Sequence, residues 1–444
     1  MKQSRAPQFE FLRFIAFTLI FIWHANLWQL DFLPNDKGAA AGVSFFFILS
    51  GFLTGYSSYH KGTSKKKVRE EGDRERRICE DGIREGGTCE ELTCKEETRK
   101  CGTCEGGNRY SVKGNLQYVF QKLKRFYPLY LITGLIFLIY TDIPANVAVR
   151  NFSGCRNTVV RFAKYVFMLQ SWFNNGEYFA FNRAGWFISS ILPAYLLAYP
   201  AKCLARRILR RDCEDFPDRG NRPDSGNLRN SSRIFAFVFL CITALTVLYC
   251  FLTRNLNGEF YRYVFPIARL GEFFSGMALG YLIFPIRKRI QENGGGTAGV
   301  PSGMHLTGEE TFPTGSGILS GAGIPSRTLF TAAELLSLLI WGISWYLPMP
   351  GWCSHIAGWL LPGFLVVAVF GIGAGSITRL FSGKIFTRLG KLTFPAFLLN
   401  PLVIQIYYSS VGDISCSTGL GKCFSLAFTF CITLLLSAVT DSAE

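Results

Sequence analysis

The sequence predicts an all-α fold, a polytopic integral membrane protein with about ten transmembrane helices. Apolar runs of spanning length recur at roughly 9–29, 39–58, 126–142, 184–202, 233–253, 264–284, 329–347, 355–375, 392–411 and 421–440. Phenylalanine and glycine are abundant, with 41 and 45 residues, and charges are few outside the loops. The third and ninth runs are the least regular, being short or flanked by polar residues.

The net charge of +16 is unevenly placed. Basic residues crowd 61–125, then Arg206, Arg207, Arg210 and Arg211, then 287–289, then Arg379, Lys384, Arg388 and Lys391. Loops 348–354 and 412–420 carry no lysine or arginine, and 254–262 carries only Arg254 and Arg262. With ten spans and Lys2 inside, the basic loops all fall on one side, the positive-inside pattern of a cytoplasmic face. The expectation is a multi-pass protein of the plasma (cytoplasmic) membrane with both termini cytoplasmic. The basic excess is topological, and nucleic acid is not an expected partner.

The first run, FEFLRFIAFTLIFIWHANLW at Phe9–Trp28, is long enough to cross a bilayer yet carries Glu10, Arg13 and His24. Ionisable groups at such depth cost a few kcal/mol each on insertion scales, so they mark function. Arg13 and His24 are eleven positions apart. Eleven steps of about 100° return a helix to within roughly 20° of its starting face, about 16 Å further along. Both side chains thus leave the same side of the helix, Arg13 near the membrane boundary and His24 well inside. Glu10 stands one turn before Arg13 and pairs with it, which leaves His24 without a partner in its own helix. Lys2, Arg5 and the small residues of 38–42 are parts of a signal-peptide pattern. The run is too long, interrupted by charge and remote from those small residues, so cleavage is not expected.

The loops divide the chain into 1–58, a hydrophilic insert at 59–115, and 116–444 with polar cytoplasmic linkers at about 203–232 and 285–328. The insert holds Cys79, Cys89, Cys94, Cys101 and Cys104, with one CxxC. Structural zinc sites use two close pairs, so free thiols in a reducing cytoplasm are expected and no metal. On the opposite face, 143–183 carries Arg150, Arg161, Lys164 and Arg183 among Phe167, Trp172 and Phe173. This stretch suits an amphipathic or re-entrant piece, its aromatics serving as interfacial anchors or as a rim for a sugar or anionic acceptor. In the second span, VSFFFILSGFLTGY, Ser50 and Gly51 allow a neighbouring helix to approach closely.

These motifs together resemble a family. Arg13, ten residues and His24, followed by Phe46–Phe52 (FFILSGF), resemble the opening of the acyltransferase-3 membrane proteins, which include O-antigen and exopolysaccharide O-acetyltransferases. LKRFYPLYL at Leu123–Leu131 is similar to the family's basic segment leading into an RxYPLY helix, with Lys122 and Arg125 where the family has two arginines. Trp186–Pro200 resembles its tryptophan-led span, Arg269–Leu282 its F-x-x-G-M-x-x-G span, and Gly390–Val403 its closing segment. Departures are also visible: Ile191 and Leu192 stand where many members have glutamates, Asn400 where many have histidine, and Lys122 keeps charge but lacks the planar guanidinium fork.

The resemblance implies acyl transfer from acetyl-CoA, a co-substrate with no bound cofactor, to a hydroxyl of a carbohydrate or glycolipid at the bilayer. His24 and Arg13 are then the expected catalytic residues, His24 acting either as general base or as nucleophile. Lys122 and Arg125 are expected to hold the donor's phosphates with Arg13, although positive-inside anchoring alone would also place them there. Glu10, Trp186, Arg269 and Glu272 are expected around the site or at the acceptor, with Arg269 and Glu272 pairing inside the bundle. The competing class is a transporter or flippase of a lipid-linked sugar. No repeat is visible between 1–202 and 233–444, which such proteins tend to have. A membrane sensor would rest on the cysteine-bearing insert alone.

Overall fold

The computed structural model describes residues 6–25, 38–58, 110–142, 152–214, 227–294, 327–415 and 419–442, and these are helical with no strand among them. Of the insert at 59–115, residues 59–109 lie outside the described residues, as do Arg150 and the glycine-rich part of the second linker, while residues 112–115 already belong to a helix. Among the described residues nine helices are individually long and apolar enough to cross a membrane, and a bent pair, a broken span or a re-entrant loop, brings the number to ten if it counts as one span. Nine to ten candidate spans agree with the expected count of about ten, and the protein is an all-α polytopic membrane protein.

The helices are α1 (Gln8–Ala25), α2 (Gly38–Ser58), α3 (Val112–Leu123), α4 (Tyr127–Phe137), α5 (Phe152–Val166), α6 (Gly185–Glu214) and α7 (Asn227–Leu252). They continue as α8 (Pro266–Gly294), α9 (Arg327–Ser344), α10 (Leu361–Ile372), α11 (Ser376–Phe381), α12 (Lys384–Ser415) and α13 (Gly419–Ser442). Helix α6 continues to Glu214 and α8 to Gly294, well into the linkers that hydropathy suggested. Hydropathy marks where lipid ends, whereas Arg, Lys and Glu are good helix formers and carry the helix past that point. The irregular third span is α3 and α4, which meet at 56°. Pro128 sits in the first turn of α4, and the residue before a proline is pushed away from helical geometry, so Phe126–Tyr127 is where the chain turns.

Helix α12 packs between α1 and α13, while α8 is surrounded by α2, α6, α7 and α10. The α2–α8 contact is backbone on backbone. Gly51 and Gly55 of α2 lie against Phe273 and Met277, and Gly276 and Gly280 of α8 lie against Ile48 and Phe52. A Cβ at any of the four would overlap a facing backbone carbonyl. In lipid, where apolar burial drives little association, such small-residue pairs bring helices together by close packing. The small residue noted at Gly51 is thus half of a reciprocal G-x-x-x-G pair. In α13, Ser425, Thr429, Thr433 and Ser437 are buried one turn apart, each donating its hydroxyl to the carbonyl four residues back at 2.6–2.8 Å. The hydroxyls are satisfied within the helix, as a membrane interior requires.

The stretch after α4 lies mostly exposed, with Val159, Val160, Phe167 and Phe173 at the surface, and a few buried residues fasten it to the bundle. Tyr165 of α5 stacks on Tyr130 of α4 with centroids 4.1 Å apart, and each hydroxyl donates to the other residue's carbonyl, at 2.6 and 2.9 Å. Asn182 then donates to Thr133 Oγ1 and to the Leu398 carbonyl of α12, both at 2.8 Å. At the basic end, Glu334 of α9 is buried and accepts from the backbone N–H of Gly375, Ile377 and Thr378 and from the Thr378 hydroxyl. One carboxylate thereby takes most of the donors that open α11, and Thr331 Oγ1 takes the N–H of Ser376.

Candidate active site

His24 lies in the last turn of α1, and its ring is held by another helix. His24 Nδ1 is 2.6 Å from Asn400 Oδ1 of α12. The direction of that bond follows from the helix around Asn400. Pro401 has no N–H, so the carbonyl of Phe397, four residues back, loses its helical donor. Asn400 Nδ2 supplies one instead, donating to Phe397 at 2.7 Å and to Ala396 at 3.3 Å. With its amide nitrogen so used, Asn400 presents Oδ1 to the histidine, and an oxygen only accepts. The ring proton therefore sits on Nδ1, and Nε2 carries the lone pair. Asn400 is fully buried, whereas the His24 ring is half-buried, and Arg183 stands close enough for its charge to act on that ring.

Arg13 is eleven residues nearer the other end of α1 and donates to Glu10 at 2.9 Å, the pairing expected from their spacing. It stays partly exposed, at 29 % of its side chain, so one carboxylate does not enclose it. Its charge reaches Tyr195 of α6. The Lys122 ammonium of α3 lies 5.7 Å from the ring centroids of both Tyr195 and Tyr118, and Lys202 of α6 lies 4.7 Å from Tyr118. Arg13, Lys122 and Lys202 thus gather around two tyrosines at the basic end. Arg125 follows at the α3–α4 bend, exposed.

Arg269 and Glu272 form a second, fully buried cluster. Arg269 Nη1 donates to Glu272 Oε1 at 2.6 Å and to Ser44 Oγ of α2 at 3.0 Å, and Ser44 in turn donates to Oε1 at 2.8 Å. Arg269 Nε donates to the Tyr263 carbonyl at 2.7 Å. His355 Nε2 stands 3.2 Å from the same carboxylate oxygen. The expected pairing of Arg269 with Glu272 holds. Trp186 is buried at 4 % exposure beside this cluster, its ring 5.8 Å from the guanidinium and 4.8 Å from Tyr263, so it is an interior residue and not an interfacial anchor. The rings of Phe47, Phe187 and Phe397, with centroids 4.7 and 5.4 Å apart, lie between this cluster and the Asn400 side.

The structure therefore distributes the expected residues over three places: His24 with Asn400, Arg13 with Lys122 near Tyr195, and Arg269 with Glu272 near Trp186. Asn400, Ser44, His355 and Glu334 were not legible as partners in the sequence. Asn400 carried the best available signal, an amide directly before a proline inside an apolar run.

No curated protein and no solved structure matches the chain. A family model described as an acyltransferase domain, Acyl_transf_3, matches residues 7–440, which takes in all of these residues. With that match the transporter and sensor readings fall away: the chain belongs to the acyltransferase-3 family, and it is a multi-pass membrane acyltransferase that works with an acyl donor and an acceptor.

Proposed function

We propose that the protein transfers an acetyl group from acetyl-CoA to a hydroxyl of a carbohydrate or glycolipid at a cell surface. The observation that carries the reading is the His24–Asn400 pair, which fixes one tautomer and leaves Nε2 as a free base inside the membrane. In the proposed reaction the acceptor O–H gives its proton to His24 Nε2 as its oxygen attacks the thioester carbonyl. The tetrahedral intermediate then expels the thiolate, which receives that proton back from the imidazolium. Nδ1–H, bonded to Asn400 Oδ1, supports the positive charge that the ring carries between the two steps.

Arg13, Lys122 and Arg125 act on the donor. Arg13 and Lys122 both lie near Tyr195, and Arg125 follows at the α3–α4 bend; in this reading that end of the bundle faces the cytoplasm of a plasma membrane, where acetyl-CoA is made. Three cations suit a ligand with several phosphate charges, each contact being charge-assisted.

His24→Ala, assayed for acetyl-CoA consumption and acceptor acetylation in purified membranes, is expected to be inserted, folded and inactive. Arg125→Ala is expected to raise the KM for acetyl-CoA with a smaller change in kcat. Wild-type transfer by His24→Ala at equal expression refutes the role of the histidine.

A further inference from the structure

We infer that the buried cluster of Arg269, Glu272 and His355 is a subsite for a neutral, hydroxyl-bearing part of the acceptor, a sugar ring rather than an acidic or amino group. The inference rests on the acyl-transfer reading for the identity of the ligand as the acceptor.

Glu272 Oε1 receives Arg269 and Ser44, with His355 Nε2 3.2 Å away but making no hydrogen bond, and the other carboxylate oxygen receives nothing. At this cluster, Arg269 Nη2, Glu272 Oε2, both ring nitrogens of His355 and Trp359 Nε1 are buried atoms without a hydrogen-bond partner among the described residues. Arg269, Glu272 and His355 all have 0 % exposure. Unmatched donors and an unmatched acceptor in one place are costly in a membrane interior, at about 1–3-fold of the worth of an ordinary hydrogen bond each, unless a ligand matches them. An anion would meet Glu272 and a cation would meet Arg269, so charge of either sign is disfavoured. A hydroxyl donates to Oε2 and accepts from Nη2 at once, and a polyol repeats that pattern.

Two further observations point the same way. The cluster is walled by Trp186, Tyr263 and Trp359, with Trp186–Tyr263 centroids at 4.8 Å, Tyr263–Trp359 at 6.2 Å and His355–Trp359 at 4.9 Å. Apolar ring faces with a few convergent polar atoms are the usual make-up of a small-molecule site. Tyr263 and Trp359 are the half-exposed members, and both belong to π-helical segments, Glu259–Val264 and Ser354–Leu360. Such segments are rare and tend to occur at functional sites. The two converge on this cluster.

The test uses the full chain in lipid nanodiscs free of sugar detergents. Methyl α-D-glucopyranoside is the neutral probe, gluconate and glucosamine are the charged comparators, and saturation-transfer NMR reads binding. Wild type is expected to bind the glycoside saturably and both charged comparators more weakly. Trp359→Phe, which keeps a ring but removes one donor, is expected to weaken the glycoside by about fivefold, the ~1 kcal/mol of one hydrogen bond at 1.4 kcal/mol per tenfold. Glu272→Gln is expected to weaken it further, and acetyl-CoA affinity is expected to be unchanged in both. No saturable glycoside binding by wild type overturns the inference. So do equal binding of all three probes and wild-type glycoside binding by both variants, which would mean that the cluster holds water only. If glycoside binding depends on Trp359 while wild type never consumes acetyl-CoA, the subsite stands and the acyl-transfer reading fails.

Discussion

Replacing Asn400 with leucine separates what that residue does for the histidine from what it does for its helix. The substitution is close in size, so little packing is lost, but two polar groups lose their partners: His24 Nδ1–H, now 2.6 Å from Asn400, and the Phe397 carbonyl, now 2.7 Å from it. A buried polar group left unmatched costs about 1–3 kcal/mol. On the histidine side that energy is no longer available to hold the productive tautomer or to steady the imidazolium, and about 1.4 kcal/mol is tenfold in rate. The expected result is a fall in kcat of about 5- to 150-fold, with the KM for acetyl-CoA unchanged because Arg13 and Lys122 lie at the other end. Thiol release from acetyl-CoA measures both. Asn400→Asp gives the control: its carboxylate still accepts from Nδ1–H but cannot donate to Phe397. It should lose thermal stability as the leucine variant does, yet keep more of the rate. A leucine variant with wild-type kcat, or an aspartate variant no better than leucine, refutes the orienting role.

Gly51→Val places a branched side chain against the Phe273 carbonyl of α8. Thermal scans in detergent should show a stability loss of at least about 1–3 kcal/mol, and the distant Gly342→Val, where nothing lies within 4 Å of a new Cβ, should not. Glu334→Ala leaves the donors at Gly375, Ile377 and Thr378 without their acceptor, so it should lower the melting temperature while leaving the acetyl-CoA KM within twofold or so of wild type. Deletion of the hydrophilic insert, roughly residues 65–106, behind a short Gly/Ser linker is expected to retain membrane insertion and acyl transfer, since loop closure depends only weakly on length. An inserted but inactive deletion variant makes the insert part of the enzyme.

The spans were legible because lipid demands about 20 apolar residues per crossing, a signal that survives in any one sequence. Arg13 with Glu10 and Arg269 with Glu272 were legible because each pair lies one turn apart on one helix. The partners of His24 and of the Arg269–Glu272 pair were not, because Asn400 and His355 reach them from helices hundreds or dozens of residues away, and periodicity carries no information about which helix faces which. Trp186 illustrates the same limit. The resemblance alone put it around the site, and only the packing of α6 against α8 shows that it is buried beside Arg269. The bend between α3 and α4 was partly visible in the YPLY motif, where the proline marks a break without fixing its angle.

The glycine contact between α2 and α8 has a mechanical consequence. Two helices that touch through their backbones cannot slide past one another without driving carbonyls into Cα atoms, so Ser44 on one and Arg269 and Glu272 on the other keep a fixed stagger. By contrast, only 17 % of the apolar window of α7 and 22 % of that of α13 is buried inside the protein. When the surrounding bilayer thickens or thins, those outer helices are free to tilt, as a mismatched span does at a cost of fractions of a kcal/mol per ångström. The inner pair then serves as a keel, holding its polar groups at constant depth while the hull around it adjusts to the lipid.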